Sequence, residues 1–318
     1  MYFPYFYGRQ MELLALRDLA TDLAGWANIV PVIEPVMAKP GDLGRCLSEL
    51  QESRSPAYLI VNPSQGQLRD RVPEAWGECV AQFIPNGSLL YPAHQVSTED
   101  DASALLAFYR RFPDRRVAVV LRQPRIAPED LAVQVANRDA IVFVHTSANP
   151  RAYLRGLPAG KCVEVAASFN ALARNADYNG SEWFSSSHLE FVNDGRAGFS
   201  DFGPLPTTFS LQGGQAGAAA IHLTYRNDDG ALWIQHFVSD TTDRDQGDPT
   251  SKIAEAVAKV AAEVDANPEK FVESAGLRTL LANLVLELGG NKRQQLVHHL
   301  TTVAVCLGET ECPPTDLD

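Results

Sequence analysis

The sequence predicts an α/β fold: a TIM-like (β/α) barrel, irregular in places, with an aromatic-rich insertion and a C-terminal helical extension. Three observations carry this. Short apolar runs alternate with amphipathic stretches at roughly 20–30-residue spacing, the pattern of βα units in a parallel sheet. The runs are continuous rather than alternating, as strands buried on both faces require. Seven units precede residue 166 and an eighth strand is available at residues 218–225, a count that suits a closed barrel better than an open sheet.

Taken in order, strands are expected at residues 2–7, 29–36, 57–61, 88–91, 116–121, 140–144 and 161–165, all rich in Val, Ile, Leu or Tyr and too short for independent helices. Helical spacing joins Met11, Leu13, Leu14, Leu16 and Leu19; then Leu43, Cys46, Leu47 and Leu50; then Trp76, Val80 and Phe83; then Leu105, Leu106 and Tyr109. Thr98 with Asp100 and Asp101 offers oxygen caps for the fourth of these, and Pro128, Glu129 and Asp130 mark a helix start before Leu131. Residues 167–217 break the rhythm. They are rich in Gly, Ser, Asn and Pro, yet carry Trp183, Phe184, Phe191, Phe199 and Phe202, too many aromatics for a solvated linker, so an ordered insertion packed on the sheet is expected. Residues 218–225 and 232–238 flank Asn227, Asp228, Asp229 and Gly230, a hairpin signal. From Pro249 the chain reads as helical, with stripes at Ile253, Val257, Val260 and Val264 and at Leu277, Leu280, Leu281, Leu284 and Leu288. The expected division is a barrel over residues 1–248, its insertion at 167–217, and helices over 249–318 packed on it.

The 318 residues are 45% hydrophobic and 21% charged, which excludes a disordered or collagen-like chain. A net charge of −12 argues against a broad nucleic-acid footprint, which needs clustered Lys and Arg, and leaves room for a local basic pocket. Five cysteines without a Cys-x-x-Cys pair suit a reducing compartment. The first residues lack the basic and apolar regions of a signal peptide, and no apolar run approaches the ~18 residues of a membrane span, so the expected location is cytoplasmic, away from membrane.

The familiar catalytic motifs are missing. Gly156 to Lys161 imitates a phosphate loop but is one residue short, has Cys162 where Ser or Thr would bind magnesium, and opens a strand rather than a helix. The sequence identifies neither a cofactor nor a metal and leaves both open. Position says more: in parallel α/β folds functional side chains gather at the carboxyl ends of strands. Those ends read Glu34, Asn62, His94, Arg122, His145 and Glu164. Each alone is explained by a strand needing a polar end; together they predict a polar mouth able to bind an anion and move protons.

Within the insertion, Arg174, Asn175 and Asp177 bring a fork donor, an amide and a carboxylate into four residues, and Asp201 sits between Phe199 and Phe202. Arg174 is read as an anion clamp that reaches the mouth with Asp177, and Asp177 or Asp201 as a base or metal ligand; an Arg–Asp pair that merely pins the insertion has equal standing. Gly213, Gly214, Gln215, Ala216 and Gly217 would suit an anion-binding nest or a flexible joint. The candidate catalytic set is thus Glu34, His145, Asp177 and Asp201, and the candidate ligand-binding set Asn62, His94, Arg122, Arg174, Asn175 and His222. A hairpin turn centred on Asp228 and Asp229 opposes His222 to Gln235 and His236 to Ile221, placing the two imidazoles on opposite faces and out of reach of a shared metal. The adjacent His298 and His299 point different ways on a helix and are not expected to share a ligand.

The opening Met1-Tyr2-Phe3-Pro4-Tyr5 with Gly8-Arg9-Gln10, the strand ends Ile33-Glu34-Pro35 and Val61-Asn62-Pro63, and the runs Arg174 to Tyr178 and Gly198 to Phe202 carry a family likeness. In these the chain resembles the "beta family proteins" of phages and bacteria, and within them the bacterial branch encoded beside a nuclease-like protein. The resemblance covers most of residues 1–250 and implies a barrel-like fold and a role in defence against phage or mobile DNA. It implies no activity. Two functions are therefore expected: binding, with processing as an extension, of a small anionic ligand such as a nucleotide or phosphate ester, or non-catalytic holding of an effector protein such as a nuclease.

Overall fold

The computed structural model describes residues 1–96, 102–207, 217–282 and 288–310, apart from the side chains of residues 288 and 289. The expected helix start at Thr98, Asp100 and Asp101, most of the nest at Gly213–Gly217, Leu284, the Leu288 side chain and Cys312 lie outside the described residues. In chain order the strands are β1 (Tyr5–Phe6), β2 (Val32–Ile33), β3 (Ala57–Ile60), β4 (Leu90–Val96), β5 (Val117–Leu121), β6 (Ala140–His145), β7 (Cys162–Ala166), β8 (Ser181–Ser185), β9 (Gly198–Asp201), β10 (Ala220–Arg226) and β11 (Leu232–Val238). The helices are α1 (Gln10–Asp18), α2 (Ala20–Gly25), α3 (Gly41–Glu52), α4 (Glu74–Ala81), α5 (Ala102–Arg111), α6 (Pro128–Val135), α7 (Pro150–Gly156), α8 (Ser187–Glu190), α9 (Pro249–Ala266), α10 (Ala275–Leu281) and α11 (Leu288–Cys306). The local signals act as expected: α3 buries Leu43, Cys46, Leu47 and Leu50 along one stripe, and α6 opens on Pro128, whose missing N–H costs nothing there. No described helix is long and apolar enough to cross a membrane.

The chain forms two compact units: residues 1–13, 20–167 and 187–202, and residues 14–19, 168–186 and 203 onward. The division therefore falls inside the 167–217 segment, and the β10–β11 hairpin belongs with the C-terminal helices rather than with the barrel.

In the first unit eight parallel strands run in the order β1-β2-β3-β4-β5-β6-β7-β9. Tyr2 bridges to Ile29 on one side and Phe199 on the other. The Phe3 N–H donates to Phe199 O (2.9 Å) and the Phe199 N–H to Met1 O (3.0 Å), so the sheet is nearly closed into a TIM-like barrel flanked by helices. The eighth stave is β9, not the expected residues 218–225. It is four residues long and opens with Gly198, where a Cβ would stand 2.1 Å from Met1 O; the closing strands approach too closely for any side chain. Phe3, Tyr58 and Phe143 fill the interior, with ring centroids 5.1–6.2 Å apart across non-adjacent strands.

In the second unit β10, β11 and β8 form an antiparallel sheet in that order. Ile221, Leu223 and Phe237 pack on Ile253, Val257 and Val260 of α9 and on Leu277 and Leu280 of α10. Three main-chain groups on the β10 edge of this sheet are bonded by side chains of α11. Asn291 Nδ2 donates to Ala220 O (3.2 Å), the His222 N–H donates to Gln295 Oε1 (2.7 Å), and His298 Nε2 donates to Thr224 O (2.8 Å). Positions 291, 295 and 298 share one face of α11 and meet alternate residues of β10, so helix and strand periods coincide over this length. His298 Nδ1 meets Ser274 Oγ (2.9 Å) and His299 Nδ1 meets Thr224 Oγ1 (2.8 Å).

The hairpin register differs from expectation by one residue: His222 pairs with His236. The Asn227 N–H donates to Ala231 O, leaving three residues in the loop, and Gly230 takes φ +82°. A three-residue loop with Gly in the left-handed region slides the partner strand by one and turns every side chain over. The imidazoles therefore share a face, and the argument that separated them is overturned.

Candidate functional site

Alternation along each strand sorts the predicted end residues by direction. On β1 Tyr5 and Tyr7 follow Phe3 inward, and on β6 His145 follows Phe143. The Tyr5 ring lies 5.0 Å from His145 and 5.1 Å from Phe202, and Tyr7 stacks on Phe202 at 5.3 Å. Glu34, just past β2, and Arg122, just past β5, form an ion pair across the mouth. The Glu34 carboxylate, fully buried, also accepts from Tyr5 OH at Oε2 (2.7 Å). Oriented to satisfy both its ends, the Gln95 amide donates to Glu34 Oε1 (3.2 Å) and accepts from Arg122 Nε (2.8 Å). Asn62 holds Gln95 in place through two bonds to its main chain, each 2.8 Å. Glu34, Asn62, Arg122 and His145 thus meet at one end of the barrel, and sequence reasoning missed Gln95, which lies inside β4 rather than at its end.

Three other end residues point outward. His94 lies against Phe108 of α5 (5.1 Å), Glu164 pairs with Arg196 (3.4 Å), and Asp201 accepts from Tyr2 OH (2.8 Å). Each is one residue out of phase with its strand's inward set.

The charges at the mouth are fixed by their neighbours. Burial, reinforced by the Glu34 carboxylate, raises the Tyr5 phenol well above its usual range. Burial and then the Arg122 cation hold His145 well below the ordinary imidazole value, so it is neutral at pH 7. For Arg122, burial acts against the charge, while Tyr5, Glu34 and Tyr7 outweigh it. Its Nη2 also meets Tyr7 OH (3.3 Å). The side chain keeps 20% of its surface exposed, and among the described residues nothing accepts from Nη1.

The loops that carry Tyr7 and Glu34 onward enclose a cavity of about 490 Å³, lined by Gly8, Arg9, Leu13, Val36, Met37 and Lys39 among others. Gly8 takes φ +60°, and a Cβ there would stand 3.3 Å from Glu34 O, so both the backbone conformation and the close approach of the loops favour glycine. Arg9 is paired with Glu12, while Lys39 forms no ion pair among the described residues.

The remaining predicted residues belong to the second unit. Arg174 and Asp177 pair with each other (2.5 and 3.0 Å) in an exposed position. Asn175 Nδ2 donates to Ala218 O (2.9 Å). His222 faces His236, Nδ1 to Nδ1, at 2.8 Å, with Tyr178 4.5 Å and Phe169 5.0 Å from its ring. Glu182 Oε1 stands 3.3 Å from His236 Nε2. Among the described residues, no group of three or more His, Cys, Asp and Glu is placed to hold a metal ion. No family model matches the chain, and comparison with curated proteins and with solved structures finds no significant match; fold and mouth stand on their own geometry.

Proposed function

We propose that the barrel binds a small anionic ligand, a nucleotide or phosphate ester, at the carboxyl ends of its strands. One observation carries the reading: a guanidinium, Arg122, held in a fixed plane by Glu34 and Gln95, presents an uncommitted edge at the mouth. The cavity of about 490 Å³ under the loops that follow Tyr7 and Glu34 is lined by other residues, Lys39 and Asp42 among them, and its volume falls within the roughly 300–1,000 Å³ of small-molecule sites. Binding is favoured over turnover because Glu34 is committed to three donors and is poorly placed to exchange a proton. The resemblance to the beta family proteins adds the proposal that the ligand serves anti-phage defence in the cytoplasm. Calorimetric titration with ADP and ribose 5-phosphate tests the reading. Binding that weakens with salt and is lost in Arg122→Gln is expected; no heat at millimolar ligand overturns it.

The second reading, a subunit that holds an effector such as a nuclease, draws on Leu189 and Val192, 51% and 69% exposed on and just after α8. Leu189→Asp with Val192→Asp should then abolish co-purification with a co-expressed nuclease-like partner, and unchanged co-purification removes this surface from consideration.

A further inference from the structure

Ser200 belongs to the same inner row as Arg122 and His145, and nothing in the sequence singled it out. The register fixes this: Leu121 pairs with Val144, which puts Arg122 level with His145; His145 pairs with Val165, and Val165 with Ser200. Ser200 lies on the inward parity of β9. Two residues before it, a Cβ on Gly198 would meet the interior Phe3 ring at 2.8 Å; two residues after it, Phe202 packs on Tyr5 and Tyr7.

His145 and Ser200 are 6% and 2% exposed, and His145 Nε2 and Ser200 Oγ have no hydrogen-bond partner among the described residues. A buried polar atom without a partner costs free energy, and two at one level of a barrel, beside an uncommitted guanidinium edge, call for one explanation. Val165 separates them, so their backbones stand two strands, about 10 Å, apart.

Resting on the reading of the mouth as the ligand site, we propose that Arg122, His145 and Ser200 together bind the phosphoryl group of that ligand. Arg122 supplies Nη1–H and the charge, Ser200 its O–H, and His145 Nε2–H as a neutral donor. Val165 forms the apolar floor between them. With a single cation, Arg122, already balanced by Glu34 behind it, the row suits a phosphate monoester or diester better than a polyanion, which would need further cations.

Inorganic phosphate is the probe, with acetate as the carboxylate control, on the full chain. Phosphate should perturb the His145 ring-nitrogen signals in NMR and raise their titration midpoint, because a bound anion favours the imidazolium. Ser200→Ala should weaken phosphate about tenfold, the loss of one hydrogen bond to a charged group, and Ser200→Thr should retain affinity. If Ser200→Ala binds phosphate as the parent does while Arg122→Gln does not, this inference fails and the reading of the mouth stands. If the parent binds neither phosphate nor ADP, both fail. Acetate binding as tightly as phosphate overturns the phosphoryl assignment. Should Ser200→Ala not fold, the His145 response to phosphate in the parent chain decides alone.

Discussion

His222 and His236 stand directly opposite each other on the β10–β11 hairpin, Nδ1 to Nδ1, at 2.8 Å. That is a hydrogen-bond length, so one proton lies between them. A tetrahedral metal ion bound by both imidazole nitrogens would hold them roughly 3.3 Å apart. The pair is a proton-sharing contact, walled by Tyr178 and Phe169.

Acid should loosen the second unit. Burial, then His236 and Lys292, hold His222 at about 3; burial, then His299, holds His298 at about 4; burial also lowers His236, against Glu182. Folded values below the unfolded one mean that the folded state binds fewer protons. The stabilisation is therefore complete above the ordinary imidazole value near 6.5 and is lost as pH falls toward 4 and 3. Urea midpoints followed by the fluorescence of Trp183 and Trp233 from pH 7.5 to 4 check this, and a pH-independent midpoint contradicts it.

Arg122→Ala should destabilise the barrel by about 3–5 kcal/mol, because it strands the buried Glu34 carboxylate. The double variant Arg122→Met, Glu34→Leu should recover most of that loss while remaining unable to bind phosphate. Chemical denaturation of the single and double variants measures both.

Gly198→Ala should prevent the barrel from closing, since the added Cβ meets the Met1 main chain rather than a movable side chain. Loss of a cooperative melt is expected. Gly77→Ala, where a Cβ meets nothing within 4 Å, should melt like the parent or slightly above it.

Gln295→Leu leaves the His222 N–H without its acceptor in a buried position and should cost about 1–3 kcal/mol. Self-association through the uncovered β10 edge should follow, visible as an earlier elution volume in size-exclusion chromatography.

The other seven barrel strands were legible because burial on both faces leaves continuous apolar runs. The eighth was hidden by the Gly, Ser and Asp within it, residues present for close approach and polar contact rather than for strand propensity. The polar mouth was legible in outline, yet the identity of a strand's last residue does not give its direction. Glu34, Arg122 and His145 point in; His94, Glu164 and Asp201, equally polar, point out, because each strand ends at a different phase. The histidine register turned on whether the hairpin loop holds two residues or three, which Asn227 to Gly230 permits either way.

The α11 side chains that close the β10 edge come late in the chain. During synthesis the last barrel stave leaves the ribosome long before them, and β10 itself precedes Asn291 by more than sixty residues. At roughly 5–20 residues per second, the nascent sheet carries an open edge for several seconds. Nascent chains on neighbouring ribosomes of one message are thus poised to pair through β10, and slowing translation after residue 238 should raise the insoluble fraction while leaving the finished protein unchanged.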